Sequence, residues 1–190
     1  MNLPELIVQL QQGDDRAFKK LVDEWQDMVY NTVLGIVQNA DDADDITQEV
    51  FIQVFQSVSS FKGGSKFSTW LYRVAVSKAL DHEKQKKRKK RFGFMQGLFA
   101  DDNESQAHAV EFEHPGVALE KKERAGELFK ALKHIPQNQR IAFTLHKLEG
   151  LSYQEVAEIM DTSLFAVESL MGRAKVNLKK ELKRYYETTR

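Results

Sequence analysis

Apolar residues recur at spacings of three and four through most of the chain, and this period is typical of amphipathic α-helices. It is clearest after Gly13, where the apolar positions are Phe18, Leu21, Val22, Trp25, Met28, Val29, Val33 and Ile36. The next helix has the same period, with a buried seam predicted at Ile46, Val50, Val54 and Val58 and widened by Phe51 and Phe55. The pattern therefore predicts an all-α protein.

Capping residues divide this pattern into separate helices. Residues 3–12 predict a short helix that Gly13 ends, and Asp14 caps the long helix after it. The acidic run 39–45 begins the third helix, because Asn and Asp side chains accept hydrogen bonds from the N–H groups of a first turn. Its aspartates also allow a metal site, but the Gly and Glu that an EF-hand loop needs are not in register.

Residues 61–91 combine aromatic, glycine and basic residues in one stretch. Gly63 and Gly64 predict a loop, and the pattern is helical from Phe67 onward. On a helical wheel one stripe collects Trp70, Arg73, Ser77, Lys84, Arg88 and Arg91. Proteins hold single-stranded nucleic acid with cations on phosphates and aromatic rings under bases, so the stretch predicts such a site. The simpler alternative is a solvated basic helix end with Trp70 in the core.

The residues from 92 to 116 lack a sustained period and predict a linker between two small helical domains, 1–91 and 117–190. In the second domain we expect helices at 117–133 and 136–150. Ser152 and Glu155 then form a capping box that opens a short helix, and after a turn at 161–163 a last helix runs to about Tyr186. Two helices joined by a tight turn after two scaffold helices are typical of a helix-turn-helix domain.

The last predicted helix has a packing face and an outward face. The packing face collects Val167, Leu170, Met171, Ala174 and Leu178. The outward face collects Phe165, Glu168, Ser169, Gly172 and Arg173. In a major groove, Arg173 can bind phosphate or guanine and Glu168 can accept a hydrogen bond from cytosine. An ordinary antiparallel helix pair with a mixed surface is the alternative.

Charge is segregated along the chain, although 28 basic and 28 acidic residues give zero net charge. Residues 1–60 hold 3 basic and 11 acidic residues, 61–91 hold 11 and 2, 92–127 hold 3 and 8, and 128–190 hold 11 and 7. Such segregation favours contact with both a polyanion and a protein partner. With no Cys, no export signal and no long apolar run, we expect a cytoplasmic protein without membrane insertion.

Several segments carry a family resemblance: DADDITQEVF at 42–51, FSTWLYRVA at 67–75, GLSYQEVA at 150–157, VES at 167–169 and RAK at 173–175. In this order and over nearly the whole chain, they resemble an extracytoplasmic-function (ECF) sigma factor of bacterial RNA polymerase, of the sigma-70 family. The resemblance implies a non-enzymatic factor that binds core polymerase, recognises and melts promoters and needs no cofactor or metal.

The resemblance also implies three contact surfaces. The clamp helices of the largest polymerase subunit would meet Asp42, Asp45, Gln48 and Glu49. The minus-ten element, with one unstacked base captured in the 61–67 loop, would meet Phe61, Lys62, Lys66, Phe67, Trp70, Arg73, Ser77, Lys78, Lys84 and Arg88. The minus-thirty-five element would meet Phe165, Glu168, Ser169, Gly172, Arg173 and Lys175, while the scaffold of that domain meets the polymerase flap. An anti-sigma factor is a further implied partner.

Two other functions stay open from the residues alone. A dimeric helix-turn-helix regulator would bind duplex DNA without polymerase, although it would give no role to Phe61 and Trp70. A nucleic-acid enzyme could hold a metal on the carboxylates of residues 41–45, although nothing in the sequence supplies the remaining ligands or a nucleophile.

Overall fold

The computed structural model describes residues 3–96 and 119–188, and within these ranges the regular structure is entirely helical. The helices are α1 (Leu3–Gln11), α2 (Asp15–Val37), α3 (Ala40–Ser57), α4 (Phe67–Gln96), α5 (Leu119–Lys133), α6 (Gln137–Phe143), α7 (Tyr153–Ile159) and α8 (Leu164–Thr188). A short 3₁₀ turn, Val58–Ser60, follows α3, and a π-helical turn, Thr144–Leu148, continues α6. The all-α prediction is confirmed.

The N-terminal half, α1 to α4, packs α2, α3 and α4 against one another. The predicted caps are present, since Asp14 Oδ1 accepts from the Ala17 N–H at 3.0 Å and Asn39 Oδ1 accepts from the Asp42 N–H at 2.8 Å. The predicted seam of α3 is buried, but Phe55 is 45% exposed and does not widen it. Its ring instead lies edge-on to a ring of α2 near the surface.

Helix α4 is longer than predicted. It continues to Gln96, so the first five residues of the predicted linker 92–116 are helical. The rest of that linker lies outside the described residues. The extension follows from composition, because Lys, Arg and Gln have good helix propensity and the run 84–91 contains no breaker.

The C-terminal half, α5 to α8, is organised around α8. The predicted packing face is confirmed for Val167, Met171, Ala174 and Leu178, which are buried, while Leu170 is partly buried. The capping box of α7 is also confirmed, with Ser152 Oγ accepting from the Glu155 N–H and the Glu155 carboxylate accepting from the Ser152 N–H. The predicted helix 136–150 instead changes to a π-helical turn after residue 143.

The two halves pack against each other, an arrangement that the sequence left open. Their buried apolar residues form one cluster, in which α2 contacts α6 and the π-helical turn while α4 contacts α7. The Thr144 hydroxyl donates a hydrogen bond to the Gly35 carbonyl oxygen at 3.3 Å. The C-terminal half therefore lies against the side of the N-terminal half that α2 and α4 form.

No helix within residues 3–96 and 119–188 is both long and apolar enough to span a bilayer.

Candidate nucleic-acid interface

An aromatic cluster stands at the beginning of α4. The Phe61 ring lies 5.4 Å from the Phe67 ring and 5.5 Å from the Trp70 ring, measured between centroids. The loop between them contains Gly63 in the left-handed backbone region, at φ 72°, where glycine carries no steric penalty. The Gln11 side-chain amide donates to the Phe61 carbonyl oxygen at 3.0 Å and ties the loop to α1. The three rings are thus held together by their mutual contacts, by the loop and by its hydrogen bond to α1.

The rings of this cluster differ in exposure. Phe61 and Trp70 are half-buried, so part of each ring faces solvent and is available to a base. Phe67 is only 2% exposed and packs between Trp70 and the ring of Trp25, at 5.5 and 6.2 Å. Direct stacking of a base on Phe67 would require it to leave the core. Its position indicates that it supports the other two rings from the core side, so the prediction that Phe67 itself meets the DNA does not fit its burial.

The distal half of α4 carries most of the cations. The run from 84 to 91 is exposed and holds Lys84, Lys86, Lys87, Arg88, Lys89, Lys90 and Arg91. Two cations of α4 contact α3: Lys86 Nζ lies 2.5 Å from an Asp42 carboxylate oxygen, and Lys78 Nζ lies 3.6 Å from Glu49. The acidic helix α3 and the basic helix α4 are therefore neighbours, although the paired residues are far apart in the sequence.

The proximal half of α4 faces the C-terminal half. Lys66 Nζ lies 2.9 Å from Glu155 Oε1, and Arg73 Nε donates to the Glu158 carbonyl oxygen at 2.9 Å. The hydrogen bond with Lys66, together with those from Ser152, lowers the pKa of Glu155 to about 2. Two residues predicted to bind DNA are thus engaged by α7.

A partly buried polar contact lies in the same region. The Tyr72 hydroxyl donates to Glu149 Oε2 at 3.1 Å. Burial raises the pKa of Glu149, against the opposing effect of the Tyr72 hydrogen bond, and burial also raises the pKa of Tyr72. The carboxylate is therefore costly to ionise where it lies.

The outward face of α3 is amphipathic, which the sequence analysis missed. Asp45, Gln48 and Glu49 are exposed as predicted for a protein-binding helix, and Ile52 and Phe55 beside them are 56% and 45% exposed. A wheel could have found these two, because they lie about 200° and 140° from Val50, the centre of the buried seam. An apolar patch flanked by carboxylates is typical of a protein interface.

Asp42 lies at the edge of this face. Its carboxylate is held by Lys86 and lies 3.6 Å from His82 Nε2, so its predicted partner would have to compete with α4. Among the described residues no group of three or more His, Asp or Glu side chains is placed to hold a metal ion.

The outward face of α8 lies at the surface. Phe165 is 79% exposed, and Glu168, Gly172, Arg173 and Lys175 are exposed as well. Ser169 is half-buried and accepts a 2.9 Å hydrogen bond from Arg173 Nη2, which pre-orients the guanidinium along the helix. Apart from Ser169, the predicted residues are all exposed on α8.

Comparisons with known proteins give the family. The model of Sigma-70 region 2 matches residues 21–89, and the model of Sigma-70, region 4 matches residues 125–178. The ECF RNA polymerase sigma-E factor of Escherichia coli is 34% identical over 170 residues, which span 90% of this chain and 88% of that protein. The chain belongs to the ECF group of the sigma-70 family. The RNA polymerase sigma-H factor of Pseudomonas aeruginosa is similar too, 31% identical over 178 residues that span 94% and 92% of the two chains.

Two solved structures share the fold of this sigma factor. CnrH in complex with the cytosolic domain of CnrY matches with a TM-score of 0.66 and 22% identity, over 94% of this chain and 96% of that chain. The sigma factor RpoE in complex with the anti-sigma factor NepR from Bartonella quintana matches with a TM-score of 0.64 and 21% identity, over 87% and 96%. The region 2 match falls on α2 to α4, and the region 4 match falls on α5 to α8.

Proposed function

We propose that this sigma factor, which directs promoter recognition by RNA polymerase, divides that task among three surfaces. The outward face of α3 binds polymerase, the beginning of α4 holds the separated strand, and the outward face of α8 reads duplex DNA. One observation carries the proposal: partly exposed Phe61 and Trp70 rings stand at the head of a cationic helix within the region 2 match. A protein that bound only duplex DNA would have no use for these rings.

The face of α3 suits the clamp helices of the largest polymerase subunit. Ile52 and Phe55 supply apolar surface to bury, and Asp45, Gln48 and Glu49 supply charge and hydrogen bonds at its border. Apolar burial provides most of the binding free energy at an interface, while the charged border sets orientation and the rate of association.

The beginning of α4 suits an unpaired strand of the minus-ten element. Stacking of a base on Phe61 or Trp70 would stabilise the opened state by ~1 to 3 kcal/mol per base. Exposed Lys62 lies beside the rings and would bind a nearby phosphate, whereas exposed Lys84 and Arg88 lie further along α4 and would bind phosphates further along the strand. Duplex opening is thereby driven by binding free energy, and we propose that the factor acts without catalytic residues or a cofactor.

The outward face of α8 suits the minus-thirty-five element. Phe165 begins the helix, Gly172 allows close approach of the backbone, and Arg173 is oriented by Ser169. We propose that α5 and α6 serve as the scaffold that meets the polymerase flap. The functional boundary between the two domains then falls after α4, at residue 96, rather than at residue 91.

An inhibitory protein is a further proposed partner of this chain. CnrH is described in complex with the cytosolic domain of CnrY, and the Bartonella RpoE in complex with the anti-sigma factor NepR. We propose that an anti-sigma factor likewise binds this chain in the cytoplasm. Mixing the chain with such a partner should abolish its co-elution with core polymerase.

Size-exclusion chromatography with core polymerase tests the proposed function. The purified chain should co-elute with core enzyme, and it should not shift a palindromic duplex by itself. The dimeric regulator described above predicts the reverse, namely a shifted palindrome and no co-elution. That result would overturn the proposal.

A further inference from the structure

The three rings at the beginning of α4 come from two different segments. Phe67 and Trp70 belong to α4, whereas Phe61 follows the 3₁₀ turn that ends at Ser60. The placement of the Phe61 ring relative to Trp70 therefore depends on the loop between them or on an anchor from elsewhere in the chain. We propose that Gln11 of α1 is this anchor, a positioning residue that holds Phe61 where a base of the separated strand can stack. The inference rests on the proposed function, because it concerns the same strand-binding site.

The loop between Phe61 and α4 offers little restraint of its own. Residues 62–65 lie outside the helices, and Gly63 has a positive φ of 72°. A Cβ atom at Gly63 or Gly64 would meet no atom of the described structure within 4 Å, apart from its neighbours in the chain. Because glycine has more backbone freedom than any other residue, a pair of unpacked glycines leaves a loop with many accessible conformations. The loop alone therefore does not fix Phe61 relative to Trp70.

Gln11 joins Phe61 to a fixed point of the core. Its Nε2 donates to the Val58 carbonyl oxygen at 3.2 Å and to the Phe61 carbonyl oxygen at 3.0 Å. Since both partners are acceptors, the bridge needs the two N–H donors of a primary amide. The Val58 side chain is buried, and the Phe61 N–H donates to the same Val58 carbonyl oxygen at 3.1 Å. Phe61 is therefore held at both its N–H and its carbonyl group.

Helix α1 is itself packed firmly enough to serve as an anchor. Leu6 and Leu10 are buried and belong to the same apolar cluster as Val58, and α1 contacts both α2 and the 3₁₀ turn. The helix precedes residues 21–89, which match Sigma-70 region 2, so the match does not include it. A residue outside the matched region thus reaches the strand-binding site.

Loss of this anchor should act on strand binding through pre-organisation. Without its hydrogen bond to Gln11, the Phe61 backbone would take up several conformations. The apparent affinity for the strand then falls in proportion to the fraction of molecules in which the ring is correctly placed. From the net strength of a hydrogen bond within a protein, we expect a loss of about two- to tenfold. Gln11 need not touch the DNA to have this effect.

Gln11→Met removes the two donors with little other change. Methionine is close to glutamine in length and in helix propensity, carries no charge and cannot donate a hydrogen bond. Gln11 is exposed, so we expect the variant to fold, to co-elute with core polymerase and to keep nearly the thermal midpoint of the wild type. Gln12→Met makes the same change at the next residue, which is also exposed, and is the matched control.

The test uses holoenzyme assembled from core polymerase and the full-length chain, with a fluorescently labelled template that the wild type selects from a promoter library. The template is opened beforehand at the minus-ten element, and a second version carries abasic nucleotides in the opened non-template strand. Gln11→Met should weaken binding to the first template about two- to tenfold and leave binding to the second unchanged, because only a base can stack on Phe61. Gln12→Met should match the wild type on both templates.

A double-mutant cycle with Phe61→Ala gives a second readout. When the ring is absent, its placement no longer matters, so Gln11→Met should cause no further loss in the Phe61→Ala background. A residue that merely stabilised the fold would instead weaken both templates equally and would add its loss to that of Phe61→Ala. Either of these results, or equal affinity of Gln11→Met and wild type for the template with bases, would refute the positioning role.

The same experiment separates this inference from the proposed function. If the wild-type holoenzyme selects a template and transcribes it, the sigma function stands whatever Gln11→Met does. If the wild-type holoenzyme selects no template, the sigma function is refuted, and the positioning role of Gln11 is refuted with it.

Discussion

Replacing Ile52 and Phe55 together by alanine should weaken binding to core polymerase without unfolding the chain. Full burial of such a side chain is worth ~1.5 to 3 kcal/mol. Since 56% of Ile52 and 45% of Phe55 are exposed, burial against a partner can add about half of that for each, or about 1.5 to 3 kcal/mol together. The dissociation constant should therefore rise about 10- to 150-fold.

Titration of core polymerase with the fluorescently labelled chain measures this loss. Val8→Ala is the matched control, because Val8 is an exposed apolar residue on α1, away from the α3 face. The thermal midpoint of the double variant should fall only slightly, since Phe55 loses mainly its edge-on contact with Phe18, whose ring centroid is 5.1 Å away. If the affinity for core polymerase falls less than about threefold while the thermal midpoint is unchanged, α3 does not face polymerase. A threefold change is only ~0.6 kcal/mol, well below the binding free energy expected from burying the two side chains.

Three further changes test the other surfaces. Trp70→Ala should leave the far-ultraviolet circular dichroism nearly unchanged but reduce strand opening about 5- to 150-fold, measured by 2-aminopurine fluorescence in the minus-ten region. Global unfolding would make Trp70 a core residue instead. Arg173→Ala should weaken binding to a minus-thirty-five duplex by ~1 to 3 kcal/mol, and equal loss on a template with only the minus-ten element would contradict the assignment. Glu149→Gln should raise the thermal midpoint at pH values above 7. Burial raises the pKa of Glu149 in the folded chain, so folding favours the protonated carboxyl group, and the wild type loses stability as pH rises through that raised pKa. The neutral glutamine avoids this loss. The gain should vanish below about pH 4, and a constant gain at all pH values would mean that the Glu149 charge is not the cause.

Local sequence patterns predicted most of the helices, because caps and apolar periods act within a few residues. Asp14, Asn39 and the Ser152–Glu155 capping box begin the helices where the pattern placed them. Phe55 shows the limit of this reasoning. It was predicted to widen the buried seam of α3 because it is aromatic, although its helical-wheel angle lies about 140° from Val50 at the centre of that seam. The end of α4 was misplaced because the residues from 92 onward lack a sustained period, from which a linker beginning at residue 92 was predicted.

The relation between the halves could not be predicted from local pattern. Lys66 and Glu155 are 89 positions apart, and Thr144 and Gly35 are 109 apart. Nothing near either residue indicates its partner, since an exposed lysine before a helix and a capping glutamate are both ordinary in isolation. A Cβ atom at position 35 would lie 2.5 Å from Thr144 Cγ2, so the requirement for glycine there likewise comes from a residue of the other half.

Run-off transcription from a promoter library, with core polymerase in the presence and absence of the chain, tests the central claim most directly. The account predicts transcripts only when the chain is present, selected for two separated sequence blocks upstream of the start site. Transcripts that do not depend on the chain, or selection of a single palindrome, would contradict it.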